Sequence, residues 1–260
     1  MFKLIDKKIR EAFSDAAMQY DVLASLHREI GRELVKKIMT VEHCHEALDV
    51  GMGTGWLANR LTHVFPDAKV VGVDFAQGMI EAAKKREGTF EIVQADARCL
   101  PFEENTFDIV ASNLAYQWMS DLEKSFNECY RVLKDKGYLY FTLFGANTFN
   151  ELFDSLEFAF DGDTLPIKRL ADKEQVLIAL ESSGFKNIQI NVERINTHFP
   201  NMMVLIKWVK DIGANALAKD FFVGKDLLQR ADHYYEKNFR EHLGILATLE
   251  VIWVEGSKGV

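Results

Sequence analysis

Ala47-Leu48-Asp49-Val50-Gly51-Met52-Gly53-Thr54-Gly55 is the stretch from which the rest of the chain is read. Its first four residues have the composition of a short buried strand, and the three glycines that follow at alternate positions make a sharp turn into a helix that opens near Trp56. Glycine reaches the φ > 0 conformations such a reversal needs, and it removes the side chains that would keep a ligand away from the turn. N–H groups left unpaired at the helix start then favour an anionic or hydrogen-bonding ligand. This stretch binds something through its backbone.

Two cofactor classes use such a turn. A dinucleotide fingerprint requires Gly-x-Gly-x-x-Gly directly after the strand, and counted from Gly51 its third glycine falls on Trp56, too bulky for close packing of helix on strand. Counting from Gly53 instead gives Gly53, Gly55 and Ala58 but leaves Gly51 unexplained. Asp49 stands two residues before the first glycine, where a carboxylate repels a pyrophosphate and welcomes an ammonium group. The pattern acidic-x-Gly-x-Gly-x-Gly resembles motif I of the class I S-adenosylmethionine-dependent methyltransferases, and the methyl donor is favoured over the dinucleotide. A purely structural turn is the weakest reading, because three glycines weaken local structure.

With 260 residues, 48% hydrophobic and 27% charged, the chain has the composition of an ordinary globular protein. Four prolines and no low-complexity run leave no linker, so any additions to an α/β core must pack on it. The amino terminus, residues 1–13, is charged throughout, without the apolar stretch of a secretory signal, and Glu250 interrupts the most apolar run, residues 243–254, which reads as a core strand. A cytoplasmic protein is expected. Cys44, Cys99 and Cys129 are far apart and suggest reduced thiols. His43-Cys44-His45 has no fourth ligand at recognisable spacing, so no metal is expected. Net charge is −8, with ten basic against nineteen acidic residues between positions 41 and 160. That balance argues against nucleic acid as a partner.

Residues 1–46 read as helical, with Ile9 and Phe13 at helical spacing and a second run at Leu23, Leu26, Ile30, Leu34 and Ile38. The part from Phe13 to Tyr20 is placed to fold over a ligand. From Ala47 onward strand and helix patterns alternate, which predicts an α/β fold: a doubly wound, mostly parallel, seven-stranded Rossmann-like sheet with helical lid additions. Strands are expected at 47–50, 69–74, 90–94, 107–112 and 137–144, and helices at 56–65, 78–87 and 121–134. Further on, helices are expected at 148–160, 171–183, 201–210 and 224–237, with strands at 186–193 and 244–254. One structural domain results, divided into a helical lid (1–46), a cofactor-binding core (47–199), a helical insertion (200–240) and a last core strand (241–260).

In such a sheet ligands sit beyond the carboxyl ends of the strands. There the chain offers Asp49 with Gly51, Gly53 and Gly55 after the first strand, and Asp74-Phe75 after the second, where a carboxylate accepts both hydroxyls of a ribose and Met79 follows close by. Asp96-Ala97 follows the third strand, placed to accept from an adenine amino group, and Asn113 begins Asn113-Leu114-Ala115-Tyr116-Gln117-Trp118 after the fourth. Each acid alone reads as a helix cap or surface charge. Together, behind the glycine turn, they read as a site.

Taken nearly end to end, the chain resembles a narrower family, the malonyl-acyl carrier protein O-methyltransferases of biotin biosynthesis. The likeness rests on Ala12-Phe13 and Tyr20, on Leu48 to Trp56, on Asn113-Leu114-Ala115 with Gln117-Trp118, on Phe141-Thr142-Leu143-Phe144-Gly145, on Glu151-Leu152 and Arg169, on Ser183-Gly184-Phe185, and on Lys210-Asp211-Ile212-Gly213-Ala214-Asn215. Met52 stands where the family commonly has cysteine, and residues 243–260 depart from its usual ending. The resemblance implies that S-adenosyl-L-methionine is consumed and S-adenosyl-L-homocysteine released, and that the acceptor is the carboxylate of a malonyl thioester on an acyl carrier protein. Tyr20, Gln117, Trp118 and Arg169 then fall to the substrate, with Lys207 and Lys210, three apart on one helix face, toward the carrier. A malonyl carboxylate is already ionised at pH 7, so no residue is expected to act as general base. The alternatives are a methyltransferase for another small acid or a quinone-like ring, and a module that binds the cofactor without catalysis.

Overall fold

The computed structural model describes residues 2–161, 169–213 and 224–259, with side chains from residue 6 onward. Among these residues eighteen elements are arranged about one sheet, and the first two are helices, α1 (Phe2–Leu23) and α2 (Ser25–Ile38). There follow β1 (Glu46–Val50), α3 (Trp56–Val64), β2 (Lys69–Asp74), α4 (Gln77–Lys84), β3 (Glu91–Gln94) and β4 (Phe107–Asn113). A 3₁₀ turn at Tyr116–Trp118 leads to α5 (Leu122–Val132), β5 (Leu133–Phe144), α6 (Asn150–Ala159) and α7 (Lys173–Ser182). The chain ends with β6 (Lys186–Phe199), α8 (Met202–Asp211), α9 (Lys225–Phe239), β7 (Arg240–Glu241) and β8 (Gly244–Ser257).

The strand order is β3-β2-β1-β4-β5-β8-β6, with the two-residue β7 pairing β8 as an eighth strand beside the seven expected. β1 pairs in parallel with both β2 and β4, so Leu48 lies between Val71 and Val110. Strand order reverses between β1 and β4, and that switch point is where a doubly wound sheet opens a crevice for ligands. β8 is antiparallel to both of its long neighbours, β5 and β6, and β6 forms the edge of the sheet.

Strand alternation sends Leu48 and Val50 to one face, packed with Phe126, Phe141, Val176 and Leu180. Ala47 goes to the other, with Ile30, Leu34 and Ile38 of α2 and Leu57 and Leu61 of α3. Asp49, on that second face, is carried under the start of α3. α6, α8 and α9 cover the far end of β8 through a separate cluster built on Leu152, Leu156, Met202, Leu205, Ala231 and Tyr235. α1 belongs to none of these, and small clusters at Ile9, Ala12 and Ala17 hold it over the switch point.

Several boundaries differ from the periodicity, each for a visible reason. α4 stops at Lys84 rather than 87, and Arg86, beyond its end, donates from Nε to the Thr54 carbonyl at 2.7 Å. β5 begins at Leu133 rather than 137, its pairing with β4 shifting register between Phe107 and Ile109. β6 runs on to Phe199, six residues past the alternating segment, because it stays paired with β8 as far as Phe199↔Ile245. Ala214 and Asn215 of the quoted motif, and parts of the 145–168 connection and of the 200–240 insertion, lie outside the described residues. Among the described residues no helix is long and apolar enough to cross a membrane.

Candidate active site

The glycine turn is fastened to β2. Gly51 and Met52 both donate backbone N–H groups to the Val73 carbonyl at 2.9 Å. Gly51 and Gly55 have φ of 70° and 78°, and a Cβ on either would lie 2.4 Å from Ala115 Cβ or 2.5 Å from the Phe90 ring. A Cβ on Gly53 would meet nothing closer than 4.0 Å, where the turn faces the cleft. No side chain larger than hydrogen suits the first and third positions.

Two buried carboxylates flank this turn. Asp74 accepts from Gly53 N at 2.9 Å and from Ala76 N at 2.8 Å. Burial pushes its carboxyl up to about 6 despite those bonds. Asp49 accepts from Ala58 N at 2.9 Å through one oxygen, while its other oxygen is buried without a partner. Burial pushes its carboxyl up to about 8, the nearby charge of Asp74 adding to the effect. An acid left half-satisfied beneath the turn fits a cationic ligand group such as the ammonium of S-adenosylmethionine.

The cleft has two lobes, which share Tyr20, Gly51, Gly53 and Asn113. The first has about 750 Å³ of empty space, part of it open to solvent. Asp74, Phe75, Met79, Asp96 and Ala97 line one end of it, and Phe13, Leu114, Ala115 and Trp118 the other. The second, of about 440 Å³, holds Asp49, His27, Arg28, Thr54 and Trp56. Asn113 stands between them, donating from Nδ2 to the His27 carbonyl and accepting from Thr142 Oγ1, both at 2.9 Å. Leu114 follows with φ of 55°, a strained conformation for a leucine, at the bend that sets Ala115 against Gly51.

α1 closes the first lobe from above. Phe13 meets Trp118 edge to face, centroids 5.2 Å apart, and Tyr20 has its hydroxyl pKa pushed up by burial and by the charges of Asp74 and Asp21. Ion pairs fasten both ends of the helix. Arg98 reaches Asp6 at 2.8 Å while also holding Asp96 at 2.6 Å, and Arg86 reaches Asp21 at 2.5 Å. Thr54 Oγ1 donates to the other Asp21 oxygen at 2.7 Å. Asp96, expected to face an adenine, is therefore shared with Arg98, whose hydrogen bonds hold its carboxyl below the usual range.

Two residues expected at the substrate, Gln117 and Arg169, lie away from the cleft, while Lys207 and Lys210, expected toward the carrier, stand on the surface of α8. Gln117 turns inward, donating from Nε2 to the Leu114 carbonyl at 2.8 Å, and does not line the cleft. Arg169 is exposed, paired with Glu157 at 2.7 Å and stacked 4.3 Å over Phe153. Lys207 pairs with Asp211 on the surface of α8, and Lys210 is exposed on the same helix. Sequence reading missed Asp6, His27, Arg28 and Arg98. Asp6, Ile9, Phe13 and Tyr20 do share one helical stripe, so that signal was present in the spacing.

A doubly wound sheet with a three-glycine turn at its switch point, and acids at the ends of β1 and β2, defines an S-adenosylmethionine-dependent methyltransferase. Residues 48–141 match the family model described as a methyltransferase domain. The chain is 33% identical over 268 residues to the malonyl-[acyl-carrier protein] O-methyltransferase of Geobacter sulfurreducens, covering 98% of this chain and 100% of that one. The protein of the same name in Hahella chejuensis is 35% identical over 254 residues, with 95% and 89% covered. This chain belongs to the malonyl-[acyl-carrier protein] O-methyltransferase family. Solved structures share the fold at lower identity. The YcgJ protein of Bacillus subtilis superposes with a TM-score of 0.62 at 19% identity over 88% of this chain and 99% of that one. Phosphoethanolamine N-methyltransferase 2 of Haemonchus contortus, in complex with S-adenosyl-L-methionine, gives 0.61 at 20% over 95% and 57%.

Proposed function

We propose that the protein transfers the methyl group of S-adenosyl-L-methionine to the free carboxylate of a malonyl thioester carried on an acyl carrier protein, releasing S-adenosyl-L-homocysteine, as a step of biotin biosynthesis. The observation that carries the cofactor assignment is the unpartnered Asp49 oxygen beneath the glycine turn. Asp49 and the turn backbone would hold the amino-acid end, Asp74 the ribose, and Phe75, Met79, Asp96 and Ala97 the base. When bound, the cofactor supplies a methyl group on a sulfonium, an electrophile for in-line displacement. Phe13, Tyr20 and Trp118 exclude water around it and turn aromatic density toward a cation.

The acceptor needs no deprotonation, since an ordinary carboxyl ionises far below pH 7. The imidazole that lines the cleft, His27, agrees with this, for burial and the neighbouring Arg28 push its pKa down to about 4 and leave it a poor base. What remains for the protein to do is alignment and desolvation. Membership in a family whose relatives carry the malonyl-carrier name supports the acceptor. Tyr20 and Trp118 are the residues of this chain best placed to meet it.

Label transfer tests the reading. Radiolabelled methyl donor is incubated with malonyl carrier protein, unloaded carrier and free malonate, and base-labile label is expected in the malonyl carrier alone. Label in free malonate would favour a small-acid enzyme, and binding of donor with no transfer a catalytically silent module. Asp74→Ala is expected to lower S-adenosylhomocysteine affinity by about tenfold or more, the size of a hydrogen bond to a charged group. Unchanged affinity in the folded variant would overturn the ribose assignment.

A further inference from the structure

We propose that His27 and Arg28, at the start of α2, hold the carboxylate of the cofactor's amino-acid end across the second lobe from Asp49, a proposal that rests on the cofactor reading above.

Four buried side-chain polar atoms lack a partner among the described residues, and two of them, Asp49 Oδ1 and His27 Nδ1, belong to residues lining this lobe. Buried polar atoms are rarely left so, and each costs free energy that a ligand restores. The two differ in kind. A carboxylate only accepts, whereas a neutral imidazole offers one N–H. Arg28 adds a guanidinium whose Nη1 donates to the Asp21 carbonyl, leaving its other N–H groups without a partner among the described residues. One lobe thus presents an unsatisfied acceptor and two donors, the complement of an α-amino acid zwitterion.

His27 is also built to stay where it is. Its ring stands edge to face between Tyr20 and Phe144, centroids 5.8 and 5.7 Å away, and its carbonyl accepts from Asn113. An imidazole clamped on two sides and kept uncharged is a fixed donor with no catalytic use as a base. The consequence is specificity, because a site made to hydrogen-bond a group rejects an analogue that lacks it. The protein is expected to distinguish S-adenosylhomocysteine from 5′-methylthioadenosine, which carries the same nucleoside without the amino-acid end.

Calorimetry with both ligands on the full chain decides this. His27→Phe keeps an aromatic ring and removes the donor, and His27→Gln restores a neutral donor. Affinity of His27→Phe for S-adenosylhomocysteine should fall by about tenfold or more, as should that of Arg28→Met, while methylthioadenosine affinity stays unchanged and His27→Gln recovers most of the loss. Equal weakening of both ligands makes His27 a shape-giving residue and overturns the proposal. So does an unchanged homocysteine-product affinity, or a raised acceptor KM with donor affinity intact. Failure of the wild-type protein to bind S-adenosylhomocysteine at all would sink the cofactor reading instead.

Discussion

Asp49 couples the site to pH. Its carboxyl is raised from 3.8 to about 8, chiefly by burial, so the folded state binds this proton more tightly than the unfolded chain does. Between those two values stability falls as pH rises, and Asp74, raised to about 6, adds to the slope over the lower part of the window. Asp49→Asn keeps an acceptor for Ala58 N and removes the ionisation. Ligand-free wild type is therefore expected to lose several degrees of melting temperature between about pH 5 and pH 8 relative to Asp49→Asn, given that ~1 kcal/mol moves the midpoint of a chain this size by roughly 2–4 °C. S-adenosylhomocysteine should bind the wild type more tightly as pH rises through the same window, releasing a proton, and parallel curves for the two proteins would show that the burial cost is met elsewhere. Arg169 gives the opposite lesson. An arginine matching the family reads as a carboxylate clamp, yet the fold lays it over Phe153 and against Glu157 on the surface. Arg169→Ala should leave donor affinity and acceptor KM unchanged and destabilise by no more than ~1 kcal/mol, the usual size of an exposed pair. A raised acceptor KM would return the residue to the site.

At the scale of elements, α1 behaves as a separable cover. The helix breaks at Ala24 (φ −90°, ψ 31°), and α2 beyond it is built into the core through Ile30, Leu34 and Ile38, while α1 rests on small clusters and on ionic latches that include Asp6–Arg98 and Asp21–Arg86. Asp6–Arg98 and Asp21–Arg86 straddle the cleft, so opening it for product release requires at least one to part. Asp6→Asn is expected to speed S-adenosylhomocysteine release severalfold, with a smaller salt dependence than wild type, because screening acts on a pair the variant no longer has. Stopped-flow tryptophan fluorescence reads this directly through Trp118, which Phe13 of the cover touches; an unchanged rate at all salt concentrations would mean α1 does not gate release. These latches mark where sequence reading ended. Strand ends and their acids were legible because period-2 burial and glycine turns are local signals. Asp6 meeting Arg98, or His27 lining the same lobe as Asp49, depends on helices returning over the sheet, which no local spacing encodes. The left-handed bend at Leu114 was likewise hidden, since leucine gives no hint of positive φ.

For the whole molecule the question is how a protein of net charge −8 receives a carboxylate, and, on the proposed reading, an acidic carrier. Long-range repulsion is screened beyond ~8 Å at physiological ionic strength, so a local basic surface suffices. α8 offers one candidate. Lys207 and Lys210 share its exposed side with Met203 and Val204, which are 51% and 39% exposed, and the helix leads to Gly213, where an added Cβ would press on Phe13 and Ala12 of the cover. A carrier docked there would stand beside the rim of the cleft, with apolar contact supplied by the methionine and valine and charge by the lysines. Lys207 is partly neutralised by Asp211, which makes Lys210 the stronger of the two. Lys207→Glu with Lys210→Glu is expected to raise the carrier KM by about tenfold at low salt, since rim charges act mainly on association, with the difference shrinking as salt increases. Turnover of a small malonyl thioester without the carrier should not change. Equal effects on both acceptors would place the lysines in the catalytic cleft, and no effect on either would move the carrier to another face.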